Sequence, residues 1–524
     1  MKSEYDKFND LNHLKNKFIG KKKVLITDRT LPEQNLIHSL ASFSLNQNKK
    51  IDTEVITEAG KKNEMLKIYK SFNINKVHFI APKYNLFKIL IFINSLIIFL
   101  ITYLKILFFG KTWFIKKFKH KKVYFGDLFY DYYAKLNMNY LKNKLLSFEF
   151  AKVLILGIYK INIINDLLNN NEYAAVLSST TVSISVNAIT TRLALDRNIK
   201  VIRIIGGDFN TFNSLTEANR SKENITRKKI KKIIHKDDKW EKKLNLFVKF
   251  KFKGKLTDRD SKTAFKNTIN LNKKSLFKKL KIKKKYKRIG FFAPHAFHDT
   301  SYFQGKLIHL SLYDHFVKTI DIIKNSKDTL WLVKPHPTSI YYEEENIVKD
   351  YIESINSENL ILCPRYINNE TSIKISDIIV TCRGSIGLEA GYFGKKVVLA
   401  GQSFYSDLNF SYLPKNNDEY KNYLLNEKLN FKLNKTEQEI CKKAFYYEVA
   451  KNSVVDSKIL PLDKFIQISL KKKQVKFNKY DYDRVNKETY YKYFKIINKK
   501  IKKKSFLKDE FYIKLNQWLN TIRL

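Results

Sequence analysis

The stretch "TCRGSIGLEAGYFGKKVVLAG", residues 381–401, contains five of the 15 glycines in this 524-residue chain. The apolar run "SDIIV" precedes it and "KVVLAG" closes it, which predicts a strand, a glycine-containing turn, a short helix and a second strand. Such a turn serves either as a tight connection or as a cradle of backbone N–H groups for a phosphate. The stretch by itself leaves both interpretations open.

The alternation of strand and helix signals continues on both sides of this turn. "KRIGFFAP", "TLWLVKPHP" and "LILCP" predict further strands of the same block, residues 287–465. "KKVLITD", "DTEVITE", "EYAAVLSST" and "KVIRIIGGD" predict a similar block in residues 1–220. The predicted fold class is therefore α/β with two Rossmann-like domains. Residues 221–286 are predicted to form a basic helical linker, and residues 466–524 a helical tail.

The charge of the chain bears on its partners. Lys and Arg number 99 against 50 Asp and Glu, a formal net charge of +49. Such an excess is typical of proteins that bind nucleic acid, but no zinc-finger, RNP-type or helix-turn-helix signature accompanies it. We therefore expect no nucleic-acid partner, and an anionic membrane surface or anionic substrate instead. A non-catalytic protein that binds a polyanion or a membrane remains an alternative.

The cysteines and the first residues bear on the cellular compartment. Cys363, Cys382 and Cys441 form no CxxC pair, so neither a metal knuckle nor a disulfide framework is predicted. The start, "MKSEYDKFND", is polar and does not resemble a secretory signal. We expect a cytoplasmic protein on the inner face of the cytoplasmic membrane.

The most apolar stretch of the chain is "KILIFINSLIIFLITYLKILFF", within a helix predicted near residues 86–109. Its uncharged part, residues 89–104, is slightly shorter than the ~17–25 residues of a membrane-spanning helix. A buried core helix, a helix in the membrane interface and a true span all fit this pattern.

The glycine turn itself offers candidate phosphate ligands. Gly384 and Gly387 would let an anion approach the backbone at the start of the predicted helix, where Ser385 adds a hydroxyl. Arg383 would add a fixed cation suited to two phosphate oxygens. Glu389 lies one turn into the helix, where a carboxylate could accept hydrogen bonds from ribose hydroxyls. An N-cap serine with packing glycines is the structural alternative.

The segment "WLVKPHPTS" supplies a second group of candidates: Lys334, His336 and Pro337. They follow a predicted strand, and open α/β sheets bind ligands at the carboxyl ends of their strands. The prolines fix the loop that carries the imidazole. We expect these residues to contact the same phosphates as the glycine turn.

The segment "FFAPHAFHD" places His295, His298 and Asp299 after another strand. Its spacing is not that of a zinc-binding HExxH helix, so we predict no metal site. Contact with substrate or leaving group and a capping role both remain open.

In the first block, "FGDLFYDYY" carries Asp127 and Asp131, which share one face if the segment is helical. One of them could act as a general base toward an acceptor hydroxyl. A capping Asp127 and a surface Asp131 fit equally well.

"KPHP" followed by "SDIIVTCRGSIGLEAGYFGKKVVLAG" resembles the donor-binding half of GT-B glycosyltransferases of the capsule and surface-polysaccharide group, similar to bacterial Kdo transferases and polysialyltransferases. The resemblance covers roughly residues 287–410. It implies two domains facing a cleft, with His336 and Pro337 as the His-Pro pair. It also implies that Ser385 contacts a donor phosphate and Glu389 the ribose.

The sequence thus predicts a glycosyltransferase that needs no metal and no other cofactor. Its donor would be a nucleotide sugar, and the resemblance favours a CMP-linked one. Its acceptor would be a growing cell-surface polysaccharide or a lipid-linked glycan. The alternative enzyme is a nucleotide-sugar 2-epimerase of the non-hydrolysing type.

Overall fold

A computed structural model describes residues 22–28, 32–58, 66–80, 86–142, 144–179, 184–205, 208–218, 224–235, 237–256, 259–302, 305–452, 507 and 509–524. The chain divides into two compact units. Unit 1 comprises Met1–Ser221 and Asn452–Leu524, and unit 2 comprises Lys222–Lys451.

Unit 1 is built on a six-stranded sheet and a small hairpin. Its strands are β1 (Lys23–Thr27), β2 (Asp52–Thr57), β3 (Val77–Phe79), β4 (Lys119–His120), β5 (Val123–Tyr124), β6 (Ala175–Ser178), β7 (Lys200–Ile205) and β8 (Asp208–Phe212). The sheet order is β3-β2-β1-β6-β7-β8, parallel except for β8, and β4 and β5 form the hairpin. This order, with its reversal beside the first strand, is that of the Rossmann fold.

The helices of this part of unit 1 are α1 (Pro32–Lys49), α2 (Leu66–Ser71), α3 (Leu86–Lys117), α4 (Gly126–Lys135), α5 (Asn139–Lys142), α6 (Phe148–Asn169), α7 (Val186–Asp196) and α8 (Leu215–Ala218). Helix α3 contains a kink at Gly110, whose φ of 74° interrupts the helix. By length and composition, the part Lys88–Lys117 is the one candidate membrane span among the described helices.

Unit 2 has the same sheet order, with all neighbours parallel. Its strands are β9 (Arg288–Ala293), β10 (Thr329–Val333), β11 (Leu360–Leu362), β12 (Ile378–Thr381), β13 (Val397–Leu399) and β14 (Ser411–Tyr412), in the order β11-β10-β9-β12-β13-β14. Strands β10 and β12 are buried throughout, as expected of strands covered by helices on both faces. The predicted α/β class with two Rossmann-like units is confirmed.

The helices of unit 2 are α9 (Arg227–Ile234), α10 (Trp240–Phe252), α11 (Arg259–Phe265), α12 (Lys273–Lys279), α13 (Leu312–Ile323), α14 (Glu344–Ile355), α15 (Asn369–Ile375), α16 (Ile386–Tyr392), α17 (Asn417–Leu425) and α18 (Lys435–Asn452). The first four fall in the segment predicted as a separate linker, residues 221–286, and the structure differs from that expectation. Leu244, Val248 and Phe252 are buried in the core of unit 2. Their spacing of four residues forms an apolar stripe between the lysines of α10.

The last helix, α19 (Glu510–Thr521), belongs to unit 1. Asp509 caps its first turn, and Phe511, Leu515 and Leu519 enter the same hydrophobic core as α1 and β1. Residues 466–506 and 508 of the predicted tail lie outside the described residues.

Candidate functional site

The topology of unit 2 brings three sequence motifs to one edge of the sheet. The order of the strands reverses between β9 and β12, and open α/β sheets bind ligands in the crevice at the carboxyl ends of such neighbouring strands. His295 and Asp299 follow β9, Arg383 and Ser385 follow β12, and His336 follows β10 beside β9. The residues after these three strands form the candidate site.

The loop after β9 holds an imidazole–carboxylate pair. His295 Nε2 lies 3.0 Å from Asp299 Oδ2, and its buried Nδ1 has no partner among the described residues. Desolvation would raise the pKa of the Asp299 carboxyl, but the hydrogen bond with His295 and the charges of His295, His298 and His336 outweigh it and hold that pKa well below its usual range. Asp299 is therefore ionised at neutral pH.

His298, three residues along the same loop, is held by α14. Its Nδ1 lies 3.2 Å from Oε1 of the fully buried Glu344, and its ring stacks on Tyr342 with centroids 3.4 Å apart. Glu344 also accepts the backbone N–H of Phe297 at 3.0 Å. These contacts anchor the loop, which favours a structural function for His298.

His336 stands at the start of the 3₁₀ turn Pro337–Tyr342, where Pro337 occupies the first turn position. Its Nδ1 accepts the backbone N–H of Thr338 at 3.3 Å and lies 2.8 Å from Thr338 Oγ1. The rings of His336 and His295 have centroids 5.5 Å apart. The two predicted imidazoles are therefore neighbours.

Lys334 does not fit the predicted phosphate-binding function. Its side chain is buried, and Nζ donates to the carbonyl of Ile367 and to Asn369 Oδ1, the latter at 2.8 Å. Burial lowers the pKa of Lys334 to about 8. The ammonium group thus ties the end of β10 to the segment that leads into α15.

Arg383 joins the loops after β12 and β9. The side chain is 4% exposed, and Nη2 donates to the carbonyl of Ser301. Nε and Nη1 are buried and find no acceptor among the residues that the structure describes. Buried donors without acceptors cost about 1–3 kcal/mol each and are rare in folded proteins. Among the described residues, this guanidinium therefore has donors available to a ligand.

The glycine turn in part allows a side chain of the protein itself to pack closely. A Cβ on Gly387 would lie 2.0 Å from the hydroxyl of Tyr405, which donates to the carbonyl of Gly384 at 2.6 Å. The close approach predicted for a ligand at Gly387 is therefore made by Tyr405 instead. Ser385 is exposed and makes no side-chain cap, and α16 has only seven residues, so the helix dipole adds little.

Glu389 is partly engaged by a residue that the sequence argument missed. Its Oε1 lies 2.8 Å from Lys251 Nζ of α10, with both side chains largely buried. Its Oε2 is buried and has no donor among the described residues. One oxygen thus fixes α16 against α10, and the other remains a candidate acceptor.

The candidate bases Asp127 and Asp131 lie on α4, in unit 1. Both Asp127 oxygens accept from Arg192 at 2.7 Å, and the two side chains are 5% exposed. Both carboxylate oxygens are thus occupied by the guanidinium, which favours a structural function for Asp127. Asp131 is buried one turn later, and its function stays a prediction.

Sequence analysis did not identify the buried pair His309 and His315. His315 Nε2 lies 3.1 Å from Tyr420 Oη, and the two imidazole centroids are 5.4 Å apart. Burial lowers the pKa of His309 to about 4. Burial and then the positive charges of His309, His295 and Arg383 hold the pKa of His315 well below its ordinary value.

Among the described residues, no group of three His, Cys, Asp or Glu side chains is arranged to hold a metal ion.

No family model matches the chain, and no curated protein sequence matches it. Solved structures with partial likeness include UDP-GlcNAc 2-epimerase from Neisseria meningitidis bound to UDP-GlcNAc, at 11% identity and a TM-score of 0.26, which covers 82% of this chain and 99% of that one. The S. aureus MnaA–UDP structure has 12% identity and a TM-score of 0.24, and the match covers 83% of this chain and 96% of that one. KpsC of Thermosulfurimonas dismutans, a beta Kdo 2,4 transferase, has 13% identity and a TM-score of 0.29, and the match covers 52% of this chain and 79% of that one. At these TM-scores the likenesses carry no argument about function.

Proposed function

We propose that unit 2 binds the phosphate of a nucleotide-activated sugar and that the protein is a glycosyltransferase. The observation that carries this proposal is Arg383, a buried guanidinium at the strand-order reversal of a Rossmann-like sheet, with two donors that have no acceptor among the described residues. A phosphate supplies oxygen acceptors in the geometry that a guanidinium fork prefers.

The neighbouring residues take complementary parts in this proposal. His295 and His336 offer imidazole nitrogens for hydrogen bonds where the departing phosphate gains charge. Ser385 offers an exposed hydroxyl to the same phosphate, and Glu389 Oε2 accepts from a ribose hydroxyl. These donors and cations stabilise the leaving group without a divalent cation. Incubation with EDTA should therefore leave activity unchanged, and strong loss would contradict this scheme.

The proposed acceptor is a growing cell-surface polysaccharide or a lipid-linked glycan, at the cytoplasmic face of the membrane. The general base that would deprotonate the acceptor hydroxyl is unassigned, because Asp127 is paired with Arg192. Asp131 stays the candidate. Asp131→Asn should lower kcat with little change in donor KM if it is the base.

The direct test incubates the protein with a panel of nucleotide sugars and measures nucleotide release with and without glycan acceptors. Acceptor-dependent release that is lost in Arg383→Gln supports the proposal. Arg288→Gln is the matched control, because Arg288 begins β9 at the opposite edge of the same sheet and also has a buried Nε without a partner among the described residues. Conversion of the sugar without any acceptor would favour the epimerase instead.

A further inference from the structure

Helix α3 exposes an unusually apolar surface. Eleven of its large apolar side chains are between 38% and 81% exposed: Ile89, Leu90, Phe92, Ile93, Ile97, Leu100, Ile101, Leu104, Leu107, Phe108 and Phe109. In its most apolar window only 17% of residues are buried. The core-helix interpretation of this stretch therefore does not fit, and an exposed patch of this kind marks an interaction surface.

Two polar side chains of α3 point inward. Ser95 and Thr102 are buried, and each hydroxyl donates to a carbonyl four residues earlier in the helix. Asn162 of α6 donates to Ser95 Oγ at 3.0 Å, and its Oδ1 lies 2.7 Å from His120 Nε2. A helix at a water interface turns its polar residues outward. Helix α3 instead turns Ser95 and Thr102 inward, and its outer face is mostly apolar, with Asn94 and Lys105 as polar exceptions in its central part, which suits contact with hydrocarbon.

Exposed lysines follow this apolar surface at the carboxyl end of α3. Lys116 and Lys117 end α3, and Lys121 and Lys122 form the two-residue turn of the β4–β5 hairpin that follows; all four are exposed. The turn lysines have φ values of 51° and 67°, where Asn and Gly are the favoured residues. The chain thus places two cations at a tip where uncharged residues would cost less strain.

From these observations we propose that the outer face of α3 lies in the plane of an anionic phospholipid leaflet, with the lysines at the headgroups. The apolar face and the adjoining cations match the two components of such a surface. The proposal gives the membrane location in the proposed function a structural basis, and it rests on that function only for its biological purpose.

The attachment of α3 to α6 favours this in-plane arrangement over a span. Phe92 packs edge-on against Tyr159 with centroids 6.0 Å apart, and Phe114 packs against Phe150 at 5.2 Å. Contacts near both ends hold α3 along the body of unit 1. A span formed by α3 without α6 would break them.

The test uses an environment-sensitive fluorophore on single introduced cysteines of the full chain. The native cysteines are all buried, so an exposed Leu104→Cys labels selectively. Leu246→Cys on α10 is the matched control, since Leu246 is 50% and Leu104 54% exposed. Vesicles containing phosphatidylglycerol should shift and strengthen emission at position 104, with no change at 246. Equal responses at both positions, or none at 104, would overturn the proposal.

Quenching by lipids brominated at different depths then tests the orientation. Labels at Ile93→Cys, Leu100→Cys and Phe108→Cys should report similar shallow depths. A gradient of depth across the bilayer would show a span and contradict the in-plane arrangement. A spectral shift at 104 without vesicles, together with a dimer in light scattering, would show that a second copy covers the face.

A charge variant that preserves the hairpin provides an independent measurement. Lys121→Asn combined with Lys122→Gly keeps a favoured turn sequence and removes two cations. At about fivefold per lysine, affinity for anionic vesicles should fall roughly 25-fold, with little change for phosphatidylcholine vesicles. Unchanged affinity for anionic vesicles would refute the part assigned to the lysines. None of these measurements needs nucleotide or acceptor, so their outcome is separate from that of the proposed reaction.

Discussion

The buried ion pair between Lys251 and Glu389 gives the sharpest energetic prediction. Their charged atoms lie 2.8 Å apart, and the side chains are 14% and 5% exposed. Glu389→Gln would leave a buried ammonium without its counter-ion, and Lys251→Met would leave a buried carboxylate. Breaking a pair of this kind costs about 3–5 kcal/mol, most of it from the charge left behind.

The double variant removes both charges and should cost no more than either single change. The interaction energy from the double-mutant cycle is then about 3 kcal/mol, the upper end for residues in contact. Urea unfolding followed by tryptophan fluorescence measures it, because Trp240 and Trp331 both lie in unit 2.

An exposed pair on the same helix is the control. Glu241 of α10 lies 3.1 Å from Lys442, with side chains 53% and 27% exposed. The double-mutant cycle on Glu241 and Lys442 should give an interaction energy below about 1 kcal/mol. A cost under about 1 kcal/mol for Glu389→Gln, or additive effects in the 251/389 cycle, would show that the two charges do not stabilise each other.

Three further predictions follow from individual contacts. Gly387→Ala places a methyl group against the Tyr405 hydroxyl and should destabilise unit 2 by about 1–3 kcal/mol in urea unfolding; wild-type stability would show that the ring moves freely. Lys121→Asn with Lys122→Gly should raise the melting temperature, because it relieves left-handed strain of about 1 kcal/mol per residue; a lower melting temperature would contradict this. The pKa of His309 is about 4 when folded and near 6.5 when unfolded, so the unfolded chain binds more protons between these values. Stability should fall by up to about 3 kcal/mol as pH drops from about 6.5 to about 4, and His309→Gln should reduce this slope; an unchanged slope would exclude His309 as its source.

The strands and the edge on which the motifs meet could be predicted from sequence. Buried parallel strands are continuous apolar runs, and "TLWLV" and "DIIVT" are bounded by proline or polar residues. Because parallel strands end at one edge, the motifs after β9, β10 and β12 had to converge. The sequence alone therefore predicts that His295, His336 and Arg383 lie at one edge of the sheet.

What could not be predicted depends on side-chain partners distant in the chain. Lys334 resembles a phosphate ligand in sequence, yet its ammonium group bonds to a carbonyl near α15. Gly387 resembles a cradle residue, but Tyr405, far along the chain, fills the space. The partner of Glu389 was missed because the lysines of α10 suggested a solvated linker, although its apolar stripe was present in the sequence.

The central claim is that Arg383 binds the phosphate of a nucleotide. The most direct measurement is a thermal-shift series with CMP, UDP, GDP and a single-stranded oligonucleotide, on wild type, Arg383→Gln and Arg288→Gln. A ligand at one hundred times its Kd adds about 2.7 kcal/mol of stability. At least one nucleotide should stabilise the wild type and Arg288→Gln but not Arg383→Gln. Stabilisation by the oligonucleotide alone, or an equal nucleotide shift in Arg383→Gln, would contradict it.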